Sequence, residues 1–339
     1  MKHYFLILLL LIGIFSCKKD ENTNPENAPA SCESFTMTIN DTLTAILTSV
    51  HNNDVCLLKI KNGITDTVAF ETGYEFWGPS ISPDKKKFVC FKSVTGNSEI
   101  YNDYTVAELW MFNIDGTHAK LITTLGMQGW HAMGMAQWAP DANHIVLSAE
   151  KMETDGNYHW NIYLTDTNGV TGIKMNTRLG YFAHPHFANG DMTKITYSAW
   201  PVGITSSTNY FSEIHTATVD GSYHITSENR LTSNLDYETN PNFSSDNNTI
   251  CFAQTTSNAN NTPINIVLYN LVSSTSNTVI SNGQINQQPI WSLANNMIYF
   301  VAKTGSYCLN QINYCTSTGG SNMVTYRKMN IHFVQIAIR

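Results

Sequence analysis

The residues whose types and spacing point most directly to chemistry are His184-Pro185-His186. Residues i and i+2 of a β-strand face one way, so two imidazoles at this spacing are placed to share a metal ion. His131 and Gln137, in the matching stretch of the preceding repeat, are the side chains expected to extend such a set. Two histidines that merely line a channel explain the same spacing, so no metal or other cofactor is assigned, and His131, His184 and His186 stand as candidate ligands only. Glu75, Asp236 and Glu238 are the acidic residues of the loops that lead into the inner strands. Glu238 is the first choice as a general base, although a carboxylate beside Tyr237 more often accepts a hydrogen bond. The chain has no GxSxG elbow, no Ser-His-Asp order and no phosphate-binding glycine loop.

The elements that must position these residues are repeats. FWGPSISPDKKKFVCFKS (76–93) joins a short strand to a dense apolar strand through a tight turn. The same grammar returns in GMAQWAPDANHIVLSA, AHPHFANGDMTKITYSA, TNPNFSSDNNTICFAQ and QQPIWSLANNMIYFVA. Each repeat adds a hairpin, most of them turning at Asn-Gly, Asp-Gly or Gly-Gly. These dipeptides accept positive φ at both central positions of a two-residue turn. Gly63, Gly116, Gly169 and Gly221 recur at spacings of 53, 53 and 52 residues, and one more step of 53 reaches Ser274, in the turn Val272-Ser273-Ser274 that lacks glycine. A period of this length marks an array of supersecondary units. Six units of four strands predict an all-β fold, a six-bladed β-propeller of four-stranded blades. The second strands (FVCF, IVLS, ITYS, ICFA) are apolar throughout, as expected when both faces of a blade are covered by its neighbours, whereas a sandwich predicts cleaner alternation. The tail segment 331–338 falls where a seventh inner strand would begin and is expected to close the ring on the first blade. Phe35–Ile39 competes for that place.

The combination of Pro79, Ser82-Pro83-Asp84, Trp138-Ala139-Pro140-Asp141, Pro241 and Pro289-Ile290-Trp291-Ser292 with these hairpins resembles the TolB-type six-bladed propeller repeat. The resemblance covers nearly all of residues 35–329 and departs from the pattern at Asn189-Gly190-Asp191 and Leu293-Ala294-Asn295. It implies the fold, not the role of TolB, which has an additional N-terminal domain. The histidine pattern is also faintly similar to the channel-mouth metal site of oligogalacturonate-lyase propellers, a family with more blades. In a propeller the loops leading into the inner strands surround one mouth of the channel, where function collects. The expected mouth residues are Tyr74, Trp77, Trp130, His131, Gln137 and Phe182, together with His184, His186, Tyr237, Glu238 and Gln288. Aromatic faces among amides suit a sugar ring or a peptide; they also suit a plain plug of the channel. The insertions around Tyr158-His159-Trp160 and Asn209-Tyr210-Phe211 precede third strands and are expected on the opposite or outer side.

The first residues read as a leader. A basic start, an apolar run from Tyr4 to Phe15 and Ser16-Cys17 describe a lipoprotein signal peptide over 1–16, with Cys17 lipidated and a polar tether through residue 34. The propeller then fills 35–339. A net charge of −7 with no basic run argues against a nucleic-acid partner. Of seven cysteines (17, 32, 56, 90, 251, 308 and 315), Cys90 and Cys251 sit at matching places in apolar strands and read as core. The reading that follows is a lipid-anchored propeller of the bacterial envelope, on the periplasmic or surface face of the outer membrane. It acts as a non-catalytic scaffold for a protein or glycan partner and meets the membrane only through its anchor. The alternative is a metal-dependent lyase or hydrolase acting on oligosaccharides.

Overall fold

The structure is a computed structural model that describes residues 43–51, 54–62, 64–94, 104–170, 172–204, 211–257, 262–293, 296–304, 309–316, 324–329 and 335–339. The leader, the tether and Phe35–Ile39 lie outside them. Six four-stranded antiparallel sheets form the blades. Blade 1 holds β1 (Thr44–His51), β2 (Asp54–Lys61) and β3 (Ile64–Ala69), and blade 2 holds β4 (Tyr74–Ile81), β5 (Lys87–Val94), β6 (Glu108–Asn113) and β7 (Lys120–Thr124). A short helix, α1 (Leu125–Gln128), leads to blade 3: β8 (Ala132–Trp138), β9 (His144–Met152), β10 (Tyr158–Asp166) and β11 (Ile173–Lys174). Blade 4 is β12 (Phe182–Ala188), β13 (Asp191–Ala199), β14 (Glu213–Val219) and β15 (Ile225–Arg230). Blade 5 is β16 (Tyr237–Phe243), β17 (Thr249–Thr255), β18 (Asn265–Asn270) and β19 (Thr275–Ile280). Blade 6 is β20 (Ile285–Trp291), β21 (Met297–Thr304), β22 (Leu309–Thr316) and β23 (Val324–Met329).

The last strand, β24 (Ile336–Ile338), is the inner strand of blade 1. It pairs antiparallel with β1 through Ile336–Leu47, Ala337–Ile46 and Ile338–Ala45, and Thr44 and Arg339 exchange both backbone bonds at 3.0 Å. The tail therefore closes the ring, as its place in the repeat predicts. Ile336 and Ile338 are buried against Leu47 and Tyr299, between blades 6 and 1. Ala337 points the other way, to Ile46 and Phe88. The second strands are buried on both faces: Phe88, Val89, Cys90 and Phe91 have no exposed surface, and neither do Ile250, Cys251 and Phe252. Cys56, Cys90, Cys251 and Cys315 are free buried thiols.

Two local expectations change. Lys61 and Ile64 close a two-residue turn at Asn62-Gly63 with Asn62 left-handed, as expected, but other turns are not built with two left-handed residues. At Asp115-Gly116 only the glycine has positive φ, and Asp115 Oδ1 accepts from the amide of Thr117 at 3.0 Å. Asp220 likewise accepts from Ser222 and His224, and there the left-handed residue is Tyr223, not Gly221. In the turn without glycine, Asn270 accepts from Val272 and Ser273, and Ser274 takes φ 55°. A side-chain acceptor at the first position thus holds the turn, and Tyr223 and Ser274 take the left-handed place without glycine, whereas at Gly116 and Gly169 a Cβ would come within 2.5 and 1.8 Å of the carbonyl oxygens of Val68 and Ile122. Second, the loops before the third strands lie on the same side as the lead-ins to the inner strands. First and third strands of an antiparallel sheet run in the same direction, so their starts share one end. Backbone bridges Trp160–Tyr181, Ser212–Tyr237 and Ile264–Ile285 join the start of the third strand in blades 3, 4 and 5 to the next inner strand.

Because β24 contributes one inner strand with two buried isoleucines, Ile338→Ala should lower the unfolding free energy by about 2–5 kcal/mol. Denaturant unfolding checks this; a variant as stable as the parent would remove β24 from the cooperative unit.

Candidate functional site

Five inner strands carry the same irregularity. The register with the second strand shifts between Trp77 and Ser80, Gly134 and Gln137, Ala183 and His186, Thr239 and Asn242, and Gln287 and Ile290. Within each shift one residue is left-handed: Gly78, Met135, His184, Asn240 or Gln288, with φ from 50° to 60°. Four of these precede a proline (Pro79, Pro185, Pro241, Pro289), which has no amide to give the ladder and is accommodated at a bulge. Gly78 is the tightest: its amide donates to Oε1 of Gln335, and a Cβ there would lie 3.0 Å from the Phe91 ring.

The bulge separates the two histidines. His184 is the left-handed residue, and its Nδ1 meets Ser198 Oγ at 3.0 Å. His186, beyond the shift, turns toward Phe243 of the next blade, with ring centroids 6.4 Å apart, and its buried Nδ1 has no partner. Burial pushes the pKa of each imidazole down to about 3, at His186 with help from the charge of Arg339, so both are neutral at physiological pH. His131 stands elsewhere. It is held by Glu150 at 2.6 Å and its ring lies 4.5 Å from that of Tyr158, on the rim of blade 3. Among the described residues no three of His, Cys, Asp and Glu assemble into a metal cage. Simple alternation, on which the shared-metal expectation rests, fails because of the bulge.

Several expected mouth residues are core. Trp77 and Trp130 lie between blades 2 and 3, 2% and 6% exposed, among Phe91, Leu109, Met133 and Tyr163. Phe182 is fully buried under Arg178, whose guanidinium carbon stands 4.3 Å from the ring centroid. Tyr74 lies against Lys92, whose Nζ is 3.8 Å from the ring centroid and 2.6 Å from Glu71. Gln137 accepts from Ser80 Oγ at 3.2 Å and helps tie blade 3 to blade 2.

Glu238 is fully buried as well. Its carboxylate accepts from Thr232 Oγ1 and from the amide of Ile214 at 3.3 Å, and from Asn234 and Gln254 at 3.0 Å each. It knits blade 5 to blade 4 and has no face left for a substrate. Burial, helped by the charge of Glu213, outweighs these donors and raises its pKa to about 7.

The parity of the strands brings in side chains that the loop reading missed. Tyr104, in the insertion before β6, lies on Gly134, where a Cβ would come within 2.4 Å of the tyrosine ring. The same ring meets Trp77 and Trp160 edge-on, at 5.2 and 5.8 Å. Tyr181 and Trp200 pack 5.6 Å apart beside them, with Met135 and Ile204 partly buried against the group. Burial holds the Tyr181 and Tyr237 hydroxyls in their neutral form. Tyr104, Met135, Tyr237, Asn240, Gln287 and Gln288 remain half-buried. Counting strand direction along each repeat would have found Trp160 and Tyr104.

No protein-family model and no curated protein matches this sequence. Solved structures do. A putative TolB from Agrobacterium tumefaciens superposes with a TM-score of 0.60 at 16% identity, over 88% of this chain and 97% of that one. TolB from Acinetobacter baumannii gives 0.63 at 14% identity, over 87% and 66%. An oligogalacturonate lyase from Vibrio parahaemolyticus gives 0.54 at 9% identity, over 84% and 74%. What is shared at such identities is the fold, a TolB-like six-bladed propeller.

Trp130→Ala should cost about 3–5 kcal/mol of stability, as a core truncation does; an unchanged melting temperature would return it to the surface. Glu238 gives a pH signature. Its folded pKa lies above the ordinary value of 4.5, so between about pH 4.5 and 7 the folded state holds a proton that the unfolded state has lost. Stability must therefore fall as pH rises through that window, and Glu238→Gln should flatten the decline. Unfolding at pH 5 and pH 8 tests it, and an identical pH dependence in the variant would contradict the assignment.

Proposed function

We propose that the chain is a non-catalytic binding propeller of the bacterial cell envelope, holding a protein or glycan partner at the mouth where inner and third strands begin. One observation supports this reading above the others: aromatic faces (Tyr104, Tyr237) and uncharged amides (Asn240, Gln287, Gln288) stand half-buried around the same opening. Aromatic planes stack on sugar rings and peptide side chains at small entropic cost, and amides supply directional hydrogen bonds. Two carboxylates of the same blades are engaged within the framework, Glu238 by four donors and Glu213, through Oε1, by Arg230 at 2.7 Å. The anchor is a lipid on Cys17, and the polar tether to residue 34 lets the wheel stand off the outer membrane.

Tyr237→Ala and Gln288→Ala should each weaken binding about tenfold or more, with Lys85→Ala, on the opposite side, unchanged. The measurement is titration of the purified chain against a panel of oligosaccharides and envelope-protein peptides. A parent chain inert to the whole panel, or equal loss in the Lys85 control, would sink the mouth as the binding surface. A stoichiometric divalent metal that disappears in a His184→Ala, His186→Ala double variant would replace the scaffold with the metal-dependent carbohydrate-active reading. Cys17→Ser should move the protein from the membrane to the soluble fraction.

A further inference from the structure

The mouth has a hollow where the repeat lacks large side chains. The residue just before the left-handed one is Trp77, Gly134, Ala183, Thr239 and Gln287 in blades 2 to 6, so the two smallest stand in neighbouring blades 3 and 4. Gly134 has no positive φ, so its backbone conformation does not call for glycine. The space beside it does, because Tyr104 fills that space and a Cβ on Gly134 would run into its ring.

Two features mark this contact as more than core packing. First, Tyr104 is held by its backbone: its carbonyl accepts the Met133 amide at 3.0 Å on the outer side of β8, the edge strand of its sheet. The ring can therefore swing out about its own side-chain bonds without breaking that contact. It is half-buried, whereas Trp77, Trp160, Tyr181 and Trp200 around it are at most 8% exposed. Second, two hydroxyls beside the hollow are buried without a partner. One belongs to Tyr181, packed in the same cluster, and the other to Ser148, directly opposite Gly134 in the register of β8 and β9. Buried hydroxyls are normally bonded, and a guest ring that carries a hydroxyl can pair with either.

The walls select an aromatic guest. Trp77 and Trp160 meet Tyr104 edge-on, at 86° and 87°, the geometry in which one π-system receives another, whereas a sugar ring stacks flat on an indole face. At the same end of the wheel, where first and third strands begin and second strands finish, Val94, Val106, Met127, Met152, Val202 and Leu235 are exposed. Leu235 is also left-handed, at φ 62°, a strained conformation for a bulky side chain. Such an apolar rim suits the surface of a protein better than a hydroxylated sugar.

We propose that the hollow over Gly134 is a subsite for a tyrosine side chain of a protein partner, and that Tyr104 is its resident occupant in the unbound chain. The subsite rests on the mouth reading above and narrows the partner from protein or glycan to protein. On binding, the partner's phenol takes the place of the Tyr104 ring between Trp77 and Trp160, and the apolar rim covers its flanks. Tyr104 thereby lowers the affinity, because only the fraction of the chain with its ring swung out is competent to bind.

The test is calorimetric titration of the purified chain with N-acetyltyrosinamide, N-acetylphenylalaninamide, p-cresol and cellobiose. The parent should bind the tyrosine amide saturably, and Tyr104→Ala should bind it about tenfold tighter, since the resident ring no longer competes. Both should prefer it to the phenylalanine amide and ignore cellobiose. In the double variant Tyr104→Ala, Gly134→Leu the new side chain occupies the space that the ring has left, so the fold should be retained and binding should vanish. A Tyr104→Ala chain that takes up p-cresol but not the amide has only a closed core cavity, which overturns the subsite. A parent inert to the tyrosine amide, or binding that survives in the double variant, overturns it as well. Cellobiose bound more tightly than the tyrosine amide overturns it in favour of a glycan and leaves the mouth reading standing. Tyrosine-amide binding that is lost in the double variant but untouched by Tyr237→Ala and Gln288→Ala upholds the subsite and sinks the wider mouth.

Discussion

Three residue pairs between the two ends of the described chain hold the ring together. Ile336, Ala337 and Ile338 add the innermost strand to blade 1, and in doing so they fill both of its interfaces, isoleucines toward blade 6 and alanine toward blade 2. A slip of one residue would exchange those faces and put isoleucine where only alanine fits. Without this strand, blade 1 would expose an inner edge and two apolar faces, and the neighbouring blades would each lose a cover. Every other feature of the wheel presupposes that closure.

The second constraint is the repeated bulge. A regular inner strand would send alternate side chains to the two neighbouring blades along its whole length. The left-handed residue interrupts this, and it does so at the same height in blades 2 to 6. Proline then follows at little cost in four of them, since the bulged backbone needs no amide there. The same device decides the fate of the histidines. His184 bonds back to Ser198 in its own blade, and His186 turns to Phe243 in the next.

Charge is used sparingly, and part of it ties the blades together. Glu228 works against burial through His215, Tyr197 and Arg178, whose contacts bring its pKa to about 2; Glu153 binds Lys174 at 2.5 Å. Glu238 is committed to four donors between blades 4 and 5. These carboxylates belong to the framework of the ring.

Much of this was legible in the amino-acid order. The spacing of Gly63, Gly116, Gly169 and Gly221, the apolar second strands and the tail at 331–338 determined blade size, blade number and closure, because each records a local period repeated along the chain. The turn residues were legible in kind but not in detail: Asp115, Asp220 and Asn270 act as side-chain acceptors, which one dipeptide rule does not separate from a two-residue turn. Only the tertiary structure decided that Trp77, Trp130 and Glu238 are buried and that Tyr104 and Trp160 reach the mouth. The reason is physical. A period along the chain sets which element forms, but exposure depends on register through a bulge and on contacts between blades distant in sequence, and neither leaves a local mark.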